Sequence, residues 1–251
     1  MKKWRKRVLY ATAALLSATV LFDVYARFPA SFELAPLQLD AATHSAVLLF
    51  HGTGGRNEPT MLALEARARS VLGGRDDVAV LRYVWSPYSD NRFRAAVNGE
   101  QVGHLLGADL ARLPALESVH IIAHSAGAYI PGPLCETLKK FAGRPVRVDI
   151  TYVDPIGFHG VLDAGWGTRN FGSCGDYVEA FINTDDPVPA TNAPLARAWN
   201  VDVTAAGRKS TYAGGGHRWP MQYYVDSVSP EEILPGAHSH STRPRGAIER
   251  R

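Results

Sequence analysis

Ser125 lies in the run Ser118-Val119-His120-Ile121-Ile122-Ala123-His124-Ser125-Ala126-Gly127-Ala128-Tyr129, where an apolar stretch gives way to small residues around a hydroxyl. A strand that turns sharply into a helix tolerates only small neighbours at the turn, and it lifts the turn residue's side chain clear of the sheet edge. A hydroxyl is a poor nucleophile at neutral pH. Chemistry at Ser125 therefore needs a base to take its proton, an acid to orient that base, and donors for an oxyanion.

Each part has a candidate. One oxyanion donor is the backbone N–H of Ala126, the residue after the nucleophile. The other belongs to the loop His51-Gly52-Thr53-Gly54-Gly55, where the N–H of Thr53 or Gly54 is favoured because glycines let backbone approach a reacting carbonyl. His217 is the leading base: it follows Gly214-Gly215-Gly216, precedes Trp219-Pro220, and comes late in the chain. Among its rivals, His124 is directed away by the turn, His51 and His120 suit structural roles, and His238 and His240 fall in the tail. The acid has two candidates. Asp154 closes an apolar run in Val153-Asp154-Pro155, and Asp185-Asp186 follows the next one; Asp154 is the first choice and Asp186 stays open. Tyr83, Trp85 and Tyr88 fall where they could line an acyl pocket or pack in the core. No Cys/His spacing suggests a zinc site, and the chemistry calls for no metal or cofactor.

The elements that must position these residues follow from hydropathy patterning. Ser45–Phe50, Val78–Trp85, the run before Ser125, Val146–Val153 and Tyr177–Ile182 are apolar without alternation, as expected of strands covered on both faces. Helical stretches intervene from Pro59 to about Val71, from Asn91 to Leu113, after Ser125 to about Phe141, and from Trp219 to Val228. This alternation predicts an α/β fold, a mostly parallel central sheet with helices on both faces. Ser31–Leu39 reads as an edge strand, and 183–218 as loop-rich.

The chain has 251 residues, 46% of them apolar, enough for one full core. Its formal charge of +3 sits at the start, where Lys2, Lys3, Arg5, Lys6 and Arg7 precede the mostly apolar Val8–Phe22. Setting residues 1–26 aside leaves 22 basic against 23 acidic residues, with no nucleic-acid footprint. Cations followed by a short apolar run predict a signal peptide or N-terminal membrane anchor over 1–26, with Val24-Tyr25-Ala26 a poor cleavage site. The protein is thus expected to be exported, periplasmic or extracellular, or anchored to the membrane. A single domain is expected over 31–235 and a disordered tail over 236–251, where few apolar residues occur. Cys135 and Cys174 are free to pair in an oxidising compartment or to stay as thiols.

His124-Ser125-Ala126-Gly127, preceded by His51-Gly52 at a strand end and followed by His217, resembles the α/β-hydrolase fold in its lipase and esterase branch. Ala123 stands where the usual first glycine would be, as in some small bacterial lipases. Val153-Asp154-Pro155 resembles the acid-bearing strand end of pancreatic-type lipases, whereas Thr184-Asp185-Asp186-Pro187-Val188-Pro189 resembles the acid segment of fungal-type lipases, where Asp186 would match. The resemblance spans roughly Ala46 to Val228 and implies a serine hydrolase of small-molecule or lipid esters. Two alternatives share the fold: a membrane-tethered scaffold without chemistry, and an acyltransferase.

Overall fold

The computed structural model describes residues 2–31, 33–71, 75–229 and 231–251. A helix α1 (Lys2–Ala26) precedes a parallel α/β sheet. The strands are β1 (Ser45–Phe50), β2 (Val78–Tyr83), β3 (Ser118–His124), β4 (Arg147–Val153), β5 (Tyr177–Ile182), β6 (Trp199–Asp202) and β7 (Ile248–Arg250). They form one seven-stranded sheet in the order β2-β1-β3-β4-β5-β6-β7, every neighbouring pair parallel. All the carboxyl ends therefore lie on one edge.

Burial on both faces explains why the strands read as continuous apolar runs. Along β1, Ala46, Leu48 and Phe50 join a core with α3 (Ala95–Ala111) and α4 (Pro131–Phe141), while Val47 and Leu49 join a second core with α2 (Pro59–Val71) and α7 (Trp219–Ser227). The α3–α4 contact is close because glycines recur every four residues on α3. A Cβ at Gly103 would sit 2.4 Å from the Ile130 carbonyl oxygen, and one at Gly107 2.5 Å from that of Leu134. Cys135 on α4 is disulfide-bonded to Cys174, which lies between the short helix α5 (Trp166–Asn170) and β5.

Four stretches differ from expectation. Residues 33–39 form no strand; Pro36 lacks a ladder donor, and tyrosine hydroxyls hold the segment instead. Tyr83 donates to the Ala35 carbonyl at 2.6 Å, and the Glu33 N–H donates to Tyr88 Oη at 2.8 Å. The helix after Ser125 starts as a 3-10 turn over Ser125–Tyr129 before α4 begins. Within the stretch read as loop, β6 extends the sheet and α6 (Thr204–Lys209) follows it. The tail, expected to be disordered, adds β7. It is tied down by polar groups rather than by apolar packing: Arg245 donates to the carbonyls of Gly172 and Gly175, Arg147 to that of His238, and His240 Nε2 accepts from the Val178 N–H.

Candidate active site

The sheet's carboxyl edge gathers residues far apart in sequence. The His51 loop follows β1, Ser125 follows β3, Asp154 follows β4, and Asn183 to Asp186 follow β5. Open parallel sheets place their sites at this edge because loops there are free to diverge.

Ser125 sits at φ +53°, a left-handed conformation that non-glycine residues rarely adopt. The conformation is held by close packing on both sides. A Cβ at Gly52 would lie 2.7 Å from Ser125 Cβ, and one at Gly127 2.8 Å from the Phe50 carbonyl oxygen. Asp154, at φ +45°, makes a similar turn at the end of β4, its N–H bonded to the Phe181 carbonyl at 2.8 Å.

His217 joins the pieces. Its Nε2 lies 2.8 Å from Ser125 Oγ, and its Nδ1 lies 2.9 Å from Asp154 Oδ2 and 2.8 Å from Asp186 Oδ2. With Nδ1–H donating to the carboxylates, the neutral ring presents Nε2 as acceptor for the serine hydroxyl. Both aspartate side chains are fully buried. The first-choice acid and its rival thus both reach the histidine; Asp185 instead pairs with Arg208 at the surface.

The two acids are not equivalent. Burial pushes the Asp154 carboxyl up to about 8; the His217 hydrogen bond opposes this and the neighbouring Asp186 adds to it. Burial also acts against the Asp186 charge, but hydrogen bonds from His217, Asp154, Thr191 and the Val188 N–H outweigh it and hold that carboxyl below the usual range. Two carboxylates this close cannot both ionise cheaply, so Asp154 carries the proton and Asp186 the charge. Burial would lower His217, but its bonds to the two acids prevail and raise it to about 9. Asp154, Asp186 and His217 also form, among the described residues, a group of donors close enough to hold a metal ion. The Nδ1 proton already accounts for both of its oxygen contacts.

Of the expected oxyanion donors, Thr53 and Ala126 line one cavity together with Ser125 and His217. Gly54 occupies the third position of the turn closed by the Gly55 N–H on the Gly52 carbonyl at 3.1 Å, at φ +65°. His51 secures this loop. Its Nε2 accepts from the Trp85 N–H at 3.3 Å, which leaves Nδ1–H to donate to the Gly52 carbonyl at 2.7 Å.

Several supporting residues escaped the sequence. His124, buried and lowered to about 4 by desolvation, is neutral and donates from Nε2 to the His217 carbonyl at 3.3 Å. Asn183 bonds through its side chain to the Gly216 carbonyl at 3.0 Å and through its N–H to Asp154 Oδ1 at 3.2 Å. The only sequence signal for Asn183 was a polar residue ending an apolar run. Tyr83, Trp85 and Tyr88 do not line the cavity; Trp85 is fully buried and donates to the His51 carbonyl at 2.7 Å. The cavity, about 550 Å³, is walled mainly by Phe93, Tyr129, Ile156, Phe158, Val161 and Val188.

No protein-family model matches the chain, and a search of the curated proteins found none that matches it. The chemistry of the site therefore stands on its geometry.

Proposed function

We propose that the protein is a serine hydrolase of carboxylic esters, in the lipase and esterase branch of the α/β-hydrolase fold, acting through an acyl-enzyme on Ser125. Neutral His217 takes the Ser125 proton as Oγ attacks the acyl carbonyl. The N–H groups of Thr53 and Ala126 stabilise the resulting oxyanion, and losing one such donor costs about 3–4 kcal/mol. Collapse breaks the ester C–O bond, and the leaving alcohol takes the proton from His217. Water then attacks the acyl carbon, giving a proton to His217; release of the acid returns that proton to Ser125.

The observation that carries the reading is the continuous hydrogen-bonded line from Ser125 Oγ through His217 to two buried carboxyls. The apolar cavity beside Ser125 supports an acyl group as the bound moiety. Export or membrane anchoring is supported by α1, whose segment Lys3–Ala26 is long and apolar enough to cross a membrane, and by the disulfide. The direct test is turnover of p-nitrophenyl acetate together with labelling by a fluorophosphonate. Ser125→Ala abolishes both under this reading. Failure of the unaltered chain to label marks a scaffold instead.

A further inference from the structure

The far end of α1 touches residues that line the cavity. From Lys3 to Phe22 the helix is exposed apart from a half-buried Thr19, whereas in its last turn Asp23 and Ala26 are buried beside the exposed Val24 and Tyr25. Asp23 Oδ1 accepts from the N–H groups of Val161 at 2.8 Å and Leu162 at 3.3 Å. Asp23 Oδ2 pairs with Arg27 at 2.7 Å, and Arg27 reaches His159 Nδ1 at 3.0 Å. These contacts fix the 158–162 loop, which supplies one wall of the cavity through Phe158, Gly160 and Val161. A second part of the lining is held as well. Phe22 packs edge-on against the cavity residue Phe93 at 4.8 Å, Asn91 donates to Tyr25 Oη at 3.0 Å, and Arg94 donates to the carbonyls of Phe28 and Pro29.

The exposed part of α1 has the dimensions of a membrane span. Its uncharged run Val8–Phe22 rises about 21 Å, and the aliphatic stems of Arg5, Lys6 and Arg7 just before it extend the apolar length toward the ~30 Å hydrocarbon thickness of a bilayer. The basic residues Lys3, Arg5, Lys6 and Arg7 precede the span, which puts that end in the cytoplasm and the catalytic domain outside. The Cys135–Cys174 disulfide independently suits that side. Cleavage after Ala26 would need an extended backbone where the structure has a helix and a buried residue. It would also remove the acceptor for the Val161 and Leu162 N–H groups.

We propose that α1 is retained as an anchor whose last turn clamps both parts of the lining and holds the cavity at the bilayer surface. The ester that acylates Ser125 is therefore one lodged in the bilayer, entering between Phe93 and Val161 past the exposed apolar side chain of Leu162. This rests on the hydrolase reading above.

The test uses the full chain reconstituted in phosphatidylcholine vesicles, with p-nitrophenyl acetate as the soluble ester and 4-methylumbelliferyl oleate as the bilayer ester. The intact mass of the membrane-extracted chain includes residues 3–26. Asp23→Ala combined with Arg27→Ala lowers oleate turnover about tenfold through lost positioning while acetate turnover stays within about twofold. Arg94→Ala, which releases the second part of the lining, acts in the same direction. Fluorophosphonate labelling of Ser125 at the unaltered rate establishes that each variant is folded. A mature chain beginning at Arg27, or labelled variants with an unchanged oleate-to-acetate ratio, overturns the proposal and leaves the hydrolase reading intact. An unaltered chain that takes no label and cleaves neither ester overturns both.

Discussion

Asp154 and Asp186 each place one carboxyl oxygen on the same proton, the Nδ1–H of His217, at 2.9 and 2.8 Å. One acid follows β4 and the other follows β5, so two neighbouring strand ends supply a pair where a single acid would orient the histidine. The proton rests on Asp154 and the charge on Asp186 because Asp186 has the richer set of hydrogen-bond donors.

That division predicts a graded acid series. Below pH 8, where Asp154 keeps its proton, Asp154→Asn replaces one neutral group with another and lowers kcat/KM for p-nitrophenyl acetate by less than about tenfold. Asp186→Asn forces the charge onto the more deeply desolvated Asp154 and costs about 10- to 100-fold. The double variant has no acid left and falls by about 10⁴-fold, more than the product of the single losses. Unchanged turnover in Asp186→Asn would falsify this assignment.

The pH profile follows from His217. The imidazole accepts the serine proton only when neutral, and its partners raise it to about 9, so it is charged below that pH. Turnover per substrate concentration therefore climbs between pH 6 and pH 9 instead of levelling off near 6.5. In the double acid variant the midpoint drops to or below the ordinary imidazole value of about 6.5, because burial is then unopposed. A stopped-flow profile with both proteins checks the shift; identical midpoints contradict it.

Gly52 packs directly against Ser125. Gly52→Ala puts a methyl group 2.7 Å from Ser125 Cβ, and the resulting displacement destabilises the protein by about 1–3 kcal/mol. The same shift moves Thr53 and lowers kcat more than it raises KM. A urea melt run beside steady-state kinetics separates the two effects; wild-type kcat in a destabilised variant would place the oxyanion loop elsewhere.

Cys135 and Cys174 close a loop with a sequence separation of 39. In the chain-entropy model such a crosslink contributes about 4 kcal/mol. Replacing both by serine should lower the denaturant midpoint accordingly. Dithiothreitol should produce a similar drop in the unaltered protein and none in the variant.

His124 reaches His217 through the backbone carbonyl of that residue. His124→Phe keeps a flat aromatic ring, slightly larger than imidazole, but removes the donor to the His217 carbonyl, so the glycine-rich loop loosens. The expected result is a fall in kcat of about tenfold with KM nearly constant, as for a lost positioning contact. An unchanged kcat would show that Asn183 alone holds the loop.

The sequence alone determined what depends on neighbouring residues. Apolar runs marked β1 to β5, and small residues around Ser125 and glycines after His51 marked the sharp turns, because backbone conformation there is set by local sterics. Ser125, His217 and the two aspartates could be named as candidates from their positions at the ends of such runs. What the sequence left open were relationships between distant segments. Asp154 and Asp186 both looked suitable, and only the adjacency of β4 and β5 brings them to one nitrogen. The tail looked too polar to fold, yet its Arg245 and His240 bond backbone groups of distant segments that no local pattern announces. The last turn of α1 read as a poor cleavage site after an apolar run. Its acid gains a partner because tertiary folding carries the Val161 and Leu162 N–H groups to it across more than a hundred residues.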